Sequence, residues 1–170
     1  MGGNYEVAHH SQLIAELIAD GRISLEGASS IAAGKVTYHD PCYLGRYNKV
    51  YDEPRSALKS IPIVELTEMP RNRNQSFCCG GGGRSMMKED SGSRINIKRV
   101  REALHTGVQV VAASCPFCMG MLEDGIVGQN ATDKLRVVDV AELVAASLKT
   151  PAQGNSVTSM ATASGAPHGA

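Results

Sequence analysis

The 170-residue sequence has no apolar run approaching the ~18 residues a spanning helix needs, so a membrane-crossing segment is not expected in it. Its N-terminus has no basic, apolar and small-residue series of the kind that marks a secretory signal peptide, which leaves a soluble, unsecreted piece as the expectation. It has no charge excess, with lysine plus arginine at 17 and aspartate plus glutamate at 17, so nothing in the balance calls for nucleic acid or an acidic substrate. It has no even set of cysteines. Five thiols fit a disulfide framework poorly, and a reducing cytoplasm keeps them free for metal or redox chemistry. No Lys-Ser or Lys-Thr follows its run of four glycines, which argues against a phosphate-binding loop.

What is present is concentrated in Ser76-Phe77-Cys78-Cys79-Gly80-Gly81-Gly82-Gly83-Arg84. Neighbouring side chains of an extended segment point to opposite sides, so two adjacent thiols reach one centre only from an irregular loop. Glycine supplies that loop, because it tolerates positive φ and lets backbone N–H groups approach a bulky anionic group. The remaining cysteines are spaced evenly around the pair. There are 35 residues between Cys42 and Cys78 and 35 between Cys79 and Cys115, with Cys118 closing a C-x-x-C.

The length allows one domain with a substantial core. Leu13, Ile14, Leu17 and Ile18 recur at helical spacing, with Ser11 as N-cap and Gly21 as stop, and Gly27 to Gly34 read as a linker. Strands are expected at Val36-Thr37-Tyr38, Ile63 to Leu66, Val108 to Ala113 and Arg136-Val137-Val138. Helices are expected over Pro54 to Lys59, over the stretch carrying Ile95, Val100, Ala103 and Leu104 up to Gly107, from Cys118 through Met121 and Leu122, and after the cap Asp139. Arg94, Lys98, Arg99 and Arg101 form the polar side of the second of these helices: a solvated surface, or a docking face for an acidic redox partner.

This alternation implies an α/β fold with a mainly parallel sheet and flanking helices. Cys42, Cys78-Cys79 and Cys115-Cys118 each follow a strand, so the cysteines gather at the carboxyl ends of strands, where open α/β sheets bind ligands. Residues 1–34 then form an N-terminal helix and linker, 35–149 the cysteine-rich domain and 150–170 a disordered tail of Ala, Gly, Ser, Thr and Pro.

Three chemistries stay open on spacing alone. Five thiolates suit an iron-sulfur centre. Four of them suit structural zinc, with the fifth idle. Cys115 and Cys118 alone suit a dithiol oxidoreductase, a reading that leaves the other cysteines and the glycines unused. His39 either hydrogen-bonds a cluster sulfur, relays a proton or is a polar turn residue. The Gly80 to Gly83 N–H groups either donate to cluster sulfides or belong to an ordinary loop. Met86, Met87, Met119 and Met121 read as core filler or as an apolar wall around a cluster.

His39-Asp40-Pro41-Cys42, Cys78-Cys79-Gly80-Gly81-Gly82-Gly83 and Cys115-Pro116-Phe117-Cys118 together resemble the cysteine-rich CCG domain of heterodisulfide reductases and of related bacterial iron-sulfur oxidoreductases. The resemblance covers about residues 35 to 149. It implies an iron-sulfur electron-transfer domain of an oxidoreductase, passing electrons between a flavin-linked donor and a quinone or disulfide acceptor. The implied cofactor is a 4Fe-4S cluster of noncubane type held by Cys42, Cys78, Cys79, Cys115 and Cys118, with zinc as the alternative and with His39, Gly80 and Gly81 around it. Full members carry two such domains and a ferredoxin-like region, whereas this sequence has one copy. It is therefore expected to be the C-terminal part of a larger protein or the product of a split gene, incomplete as an enzyme. The implied partners are a second CCG domain, a ferredoxin-like domain and a flavoprotein donor, with no nucleic acid. The implied place is the cytoplasm, at the inner face of the membrane within a complex, with membrane contact only through a missing region or partner.

Overall fold

The computed structural model describes residues 2–26, 34–82 and 94–149. Most of the expected linker, the expected C-terminal tail, and Gly83, Arg84, Met86 and Met87 lie outside the described residues.

Strands β1 (Gly34–Tyr38), β2 (Val64–Leu66), β3 (Val110–Ala113) and β4 (Arg136–Asp139) form one sheet in the order β2-β1-β3-β4, every neighbouring pair parallel. Parallel neighbours need crossovers, and helices supply them. Helix α2 (Asp52–Lys59) joins β1 to β2, α3 (Ile95–His105) precedes β3, α4 (Pro116–Gly128) joins β3 to β4, and α5 (Val140–Ala145) follows β4. All four β3 residues are buried, as a central parallel strand covered on both faces requires.

Side-chain alternation along the strands divides the core in two. Val36, Tyr38, Val110, Ala112 and Val138 pack with Ala57 and Leu58 of α2 and with Val140, Leu143 and Val144 of α5. Helix α1 (His10–Ala19) lays Ile14, Ala15 and Ile18 on that same face. Val111 faces the other way and packs with Val100 and Ala103 of α3 and Leu122 and Ile126 of α4. The result is a sheet between two helical layers.

Local signals explain most element ends. Asp139 caps α5 by accepting from Ala141 N at 2.7 Å, while the Glu142 side chain accepts from the Asp139 N–H at 3.2 Å. Gly107 takes a φ of 72° just beyond α3. Helix α1 departs from expectation at its start. Its cap is His9 rather than Ser11: the His9 ring accepts from Ser11 N at 3.3 Å, and the Gln12 side chain accepts from the His9 N–H at 3.0 Å. Ser11 is instead buried in the first turn. Helix α2 begins at Asp52, ahead of the expected Pro54, which sits in the first turn, where an N–H has no intrahelical partner to lose. Two short elements went unforeseen, a π-helical turn at Tyr43–Tyr47 and a 3-10 turn at Arg73–Gln75.

The chain goes from β1 outward to β2 and then back across to β3, so the direction of winding reverses between β1 and β3. The connections at the carboxyl ends of these two strands run apart and leave a crevice, the usual ligand position in open parallel sheets.

Candidate metal centre

Three chain segments enter that crevice. The first leaves β1 through His39, Asp40 and Pro41 to Cys42, which opens the π-helical turn. Asp40 anchors it. Its buried carboxylate accepts from Arg55 at 2.6 and 2.9 Å and from Arg73 N at 2.8 Å, while its carbonyl accepts from Ser76 Oγ at 3.2 Å. Arg55 is itself buried and also donates to Glu68 at 2.6 and 2.9 Å. Burial works against its charge, but Asp40 and Glu68 more than offset that and hold Arg55 above its ordinary pKa. The Cys42 and Cys78 segments are thus tied together through Asp40.

The second segment follows β2 and carries Cys78 and Cys79. Gly80, at a φ of 92°, turns the backbone so that its N–H reaches Cys78 Sγ at 3.2 Å, and Gly81 N reaches Cys79 Sγ at 3.4 Å. A Cβ at Gly80 would also press on Ile95 Cβ and Met121 Cε, each at 3.3 Å. The third segment leaves β3 through Ser114 to Cys115, the N-cap of α4, with Pro116 as the first helical residue and Cys118 buried in the first turn. Both cysteines thus lie at the N-terminal end of α4, the end of a helix that attracts negative charge.

All five cysteines are free. Cys79, Cys118 and Met121 form one buried group, against which Cys78 and Cys115 pack. Cys42 is outside that group and lines, with Cys78, a cavity of about 10 Å³. Cys79 lies against both Cys78 and Cys118. Its contact with Cys118, together with burial, pushes Cys79 up to about 11, and its own contact raises Cys78 further. Thiols crowded in this way ionise only when a cation takes the proton's place. A wider pocket of about 630 Å³, bordered by Val7, His9, Tyr43, Leu44 and Ser114, opens beside Cys115.

His39 completes the buried floor. A ring nitrogen lies within 4.8 Å of Cys79 Sγ and Cys118 Sγ, and its Nδ1 accepts from Arg99 Nε at 3.1 Å. Burial, helped by Arg99, pushes His39 down to about 3, so the imidazole is neutral. Arg99 corrects the expectation of an outward basic face. It is fully buried, donating to Glu102 at 2.7 Å and to the Arg71 carbonyl at 2.9 Å. Its position was legible, because Asn96, Arg99, Val100 and Ala103 recur at the spacing of one helix face. Of the other basic residues, Arg94 pairs with Asp124 at 2.7 Å, Arg71 with Glu102 at 3.2 Å and Arg73 with Asp52 at 2.6 Å, while Lys98 and Arg101 are exposed. Of the four methionines, Met121 lies against the cysteines as a wall would. The buried Arg55 and Asp40 were missed in the sequence, where nothing local marks a charge as interior.

The family model of the cysteine-rich CCG domain matches residues 36–123. Over 144 residues the chain is 44% identical to a probable iron-sulfur-binding oxidoreductase, FadF, of Bacillus subtilis, a match that spans 84% of this chain and 20% of that protein. It is 38% identical to the EtfAB:quinone oxidoreductase of Syntrophomonas wolfei, over 85% of this chain and 21% of the relative. It is 37% identical to one subunit of the dihydromethanophenazine:CoB–CoM heterodisulfide reductase of Methanosarcina barkeri, over 85% of this chain and 34% of the relative. The chain thus spans between a fifth and about a third of these relatives. No solved structure gives a significant match.

Proposed function

We propose, from the premise that this chain belongs to the cysteine-rich CCG domain family, that it is the iron-sulfur electron-transfer domain of an oxidoreductase. Three of its curated relatives are named as oxidoreductases or reductases, one of them as iron-sulfur-binding. The observation that carries the reading is the convergence of three cysteine-bearing segments on the crevice between β1 and β3, with Gly80 and Gly81 donating backbone N–H groups to sulfur. This donor set fits a soft, bulky, anionic group. It holds more thiols than a closed tetrahedral zinc site uses, and it offers N–H donors that suit sulfide.

Cys42, Cys78, Cys79, Cys115 and Cys118 are the residues that would hold the group, a 4Fe-4S cluster in the noncubane form that the resemblance to heterodisulfide reductases implies. When bound, the cluster supplies one-electron redox chemistry. The protein's part is to fix five sulfurs, donate N–H groups to them and exclude water with Met121 and the buried His39. The Asp40–Arg55–Glu68 ion network keeps the Cys42 and Cys78 segments at a fixed separation. The domain works beside a ferredoxin-like domain and a second CCG domain, between a flavoprotein donor and a quinone or disulfide acceptor, on the cytoplasmic side. Among the described residues no helix is long and apolar enough to cross a membrane.

The deciding experiment is iron, acid-labile sulfide and zinc per chain after anaerobic purification and reconstitution, with EPR of both redox states. Iron and sulfide near ~4 each are expected, falling together in Cys42→Ala as well as in Cys79→Ala. Stoichiometric zinc without iron would overturn the reading in favour of a structural module. Full metal loading in Cys42→Ala would show that this thiol is not a ligand.

A further inference from the structure

Arg99 is the most deeply buried cation on the α3 side of the site, and it spends its Nε–H on a histidine rather than on an acid. A guanidinium carries donors only. His39 Nδ1, at 3.1 Å from Arg99 Nε, must therefore be the accepting nitrogen, bare of a proton. The imidazole is neutral and its single proton resides on Nε2. This excludes the geometry of an ordinary histidine ligand, which binds metal through one nitrogen and donates its other N–H to an acceptor. Here the second nitrogen faces a donor. A ring so fixed, within 4.8 Å of Cys79 Sγ and Cys118 Sγ, has one thing to offer them, an N–H.

The rest of the network holds Arg99 in place. Glu102 takes its Nη1 at 2.7 Å, and the same carboxylate accepts from Arg71 N at 3.0 Å and Arg71 Nε at 3.2 Å. Arg71 in turn lies 3.8 Å over the ring of Phe77, the residue before Cys78. The arm thus runs from the Cys78 segment through α3 to the end of β1. Among the described residues, Arg99 Nη2 is buried without a hydrogen-bond partner, leaving an uncompensated donor on the same flank. A donor stranded in low dielectric is costly unless an anion comes near it.

We propose that Arg99 is a positioning residue that locks His39 in its Nε2–H form, and that His39 donates this N–H to a sulfur at the Cys79–Cys118 end of the centre, raising the reduction potential. The proposal rests on the iron-sulfur reading above. A hydrogen bond to a cluster sulfur stabilises the more negative, reduced state, and its removal lowers the potential.

The test uses the full chain, reconstituted anaerobically and titrated potentiometrically by EPR, with iron and sulfide measured on each sample. His39→Leu is expected to keep its iron and shift to lower potential. His39→Gln, which places an amide N–H near the Nε2 position, is expected to recover most of the shift. Arg99→Met is expected to shift the same way as His39→Leu, and the double variant no further than His39→Leu alone. An unchanged potential in a fully loaded His39→Leu chain would overturn the proposal and leave the iron-sulfur reading standing. Loss of metal in both His39 variants, with the far-UV circular dichroism preserved, would also overturn it by making His39 a ligand. Zinc in place of iron in the unsubstituted chain would end both readings. Should His39→Leu fail to fold, nitrogen-15 NMR of the metal-free unsubstituted chain reads the tautomer directly. An Nε2–H signal that becomes a tautomer mixture in Arg99→Met is expected, and an Nδ1–H signal would overturn the assignment.

Discussion

At the scale of single residues, the site is organised by charges that the chain buries at some cost. Removing two charges from water is expensive, and the expense is offset only when geometry and hydrogen bonding are complete. Arg55 meets that condition: Asp40, Glu68 and the Tyr51 carbonyl, at 2.8 Å, take its donors, and its guanidinium lies 5.0 Å over the Tyr38 ring. Breaking one side of such a pair strands the other. Arg55→Met is expected to cost about 3–5 kcal/mol by urea denaturation, because Asp40 is left buried without its cation. A loss below ~1 kcal/mol, the range of a surface pair, would show that the network adds little to the fold. Gly80 and Gly81 differ from Gly82 in the same concrete sense. A Cβ at either of the first two would meet Met121, and one at Gly81 would also lie 3.5 Å from Cys79 Sγ, whereas among the described residues nothing lies within 4 Å of a Cβ at Gly82.

At the scale of elements, the close approach of α3 to α4 sets how deeply Cys118 sits. Gly125 makes that approach possible, since a Cβ there would lie 2.8 Å from Val100 Cγ2 and 3.1 Å from the Asn96 carbonyl oxygen. Asn96 is buried between the two helices and donates to the Met121 carbonyl at 3.1 Å and to Asp124 at 2.8 Å. Gly125→Ala would gain about 1 kcal/mol in helix propensity. The contacts with backbone and with a fully buried valine outweigh it, and overpacking of this kind costs ~1–3 kcal/mol. The expected outcome is net destabilisation in chemical denaturation, accompanied by weaker retention of metal by α4. A stabilised variant would mean that α3 and α4 can separate freely. The element ends were largely legible, because caps and stops act within a few residues. Asp139 and Gly107 were read correctly. Ser11 was displaced by His9, whose imidazole nitrogen accepts the N–H that a hydroxyl would otherwise take.

At the scale of the whole molecule, α1 belongs to the same packed unit as the sheet. Its Ile14, Ala15 and Ile18 complete the layer formed by α2 and α5, and the stretch after it bonds to the segment that follows α5, Glu26 N to the Ser147 carbonyl at 3.0 Å. Deleting residues 2–26 is therefore expected to lower the thermal midpoint by at least ~5 °C, and an unchanged midpoint would show that α1 is a separate appendage. The sequence by itself determined the four strand positions, the parallel α/β character and the gathering of cysteines at strand ends, because each rests on local periodicity, turn chemistry and even spacing. Only the tertiary structure decided the strand order, the anchoring of Asp40 by Arg55 and the meeting of Arg99 with His39, which are 60 residues apart in the chain. The physical reason is that local propensity specifies which backbone conformation a segment takes. Which buried charge finds which partner is set by long-range closure of the core, where the cost of an unpaired donor is felt only once water has left.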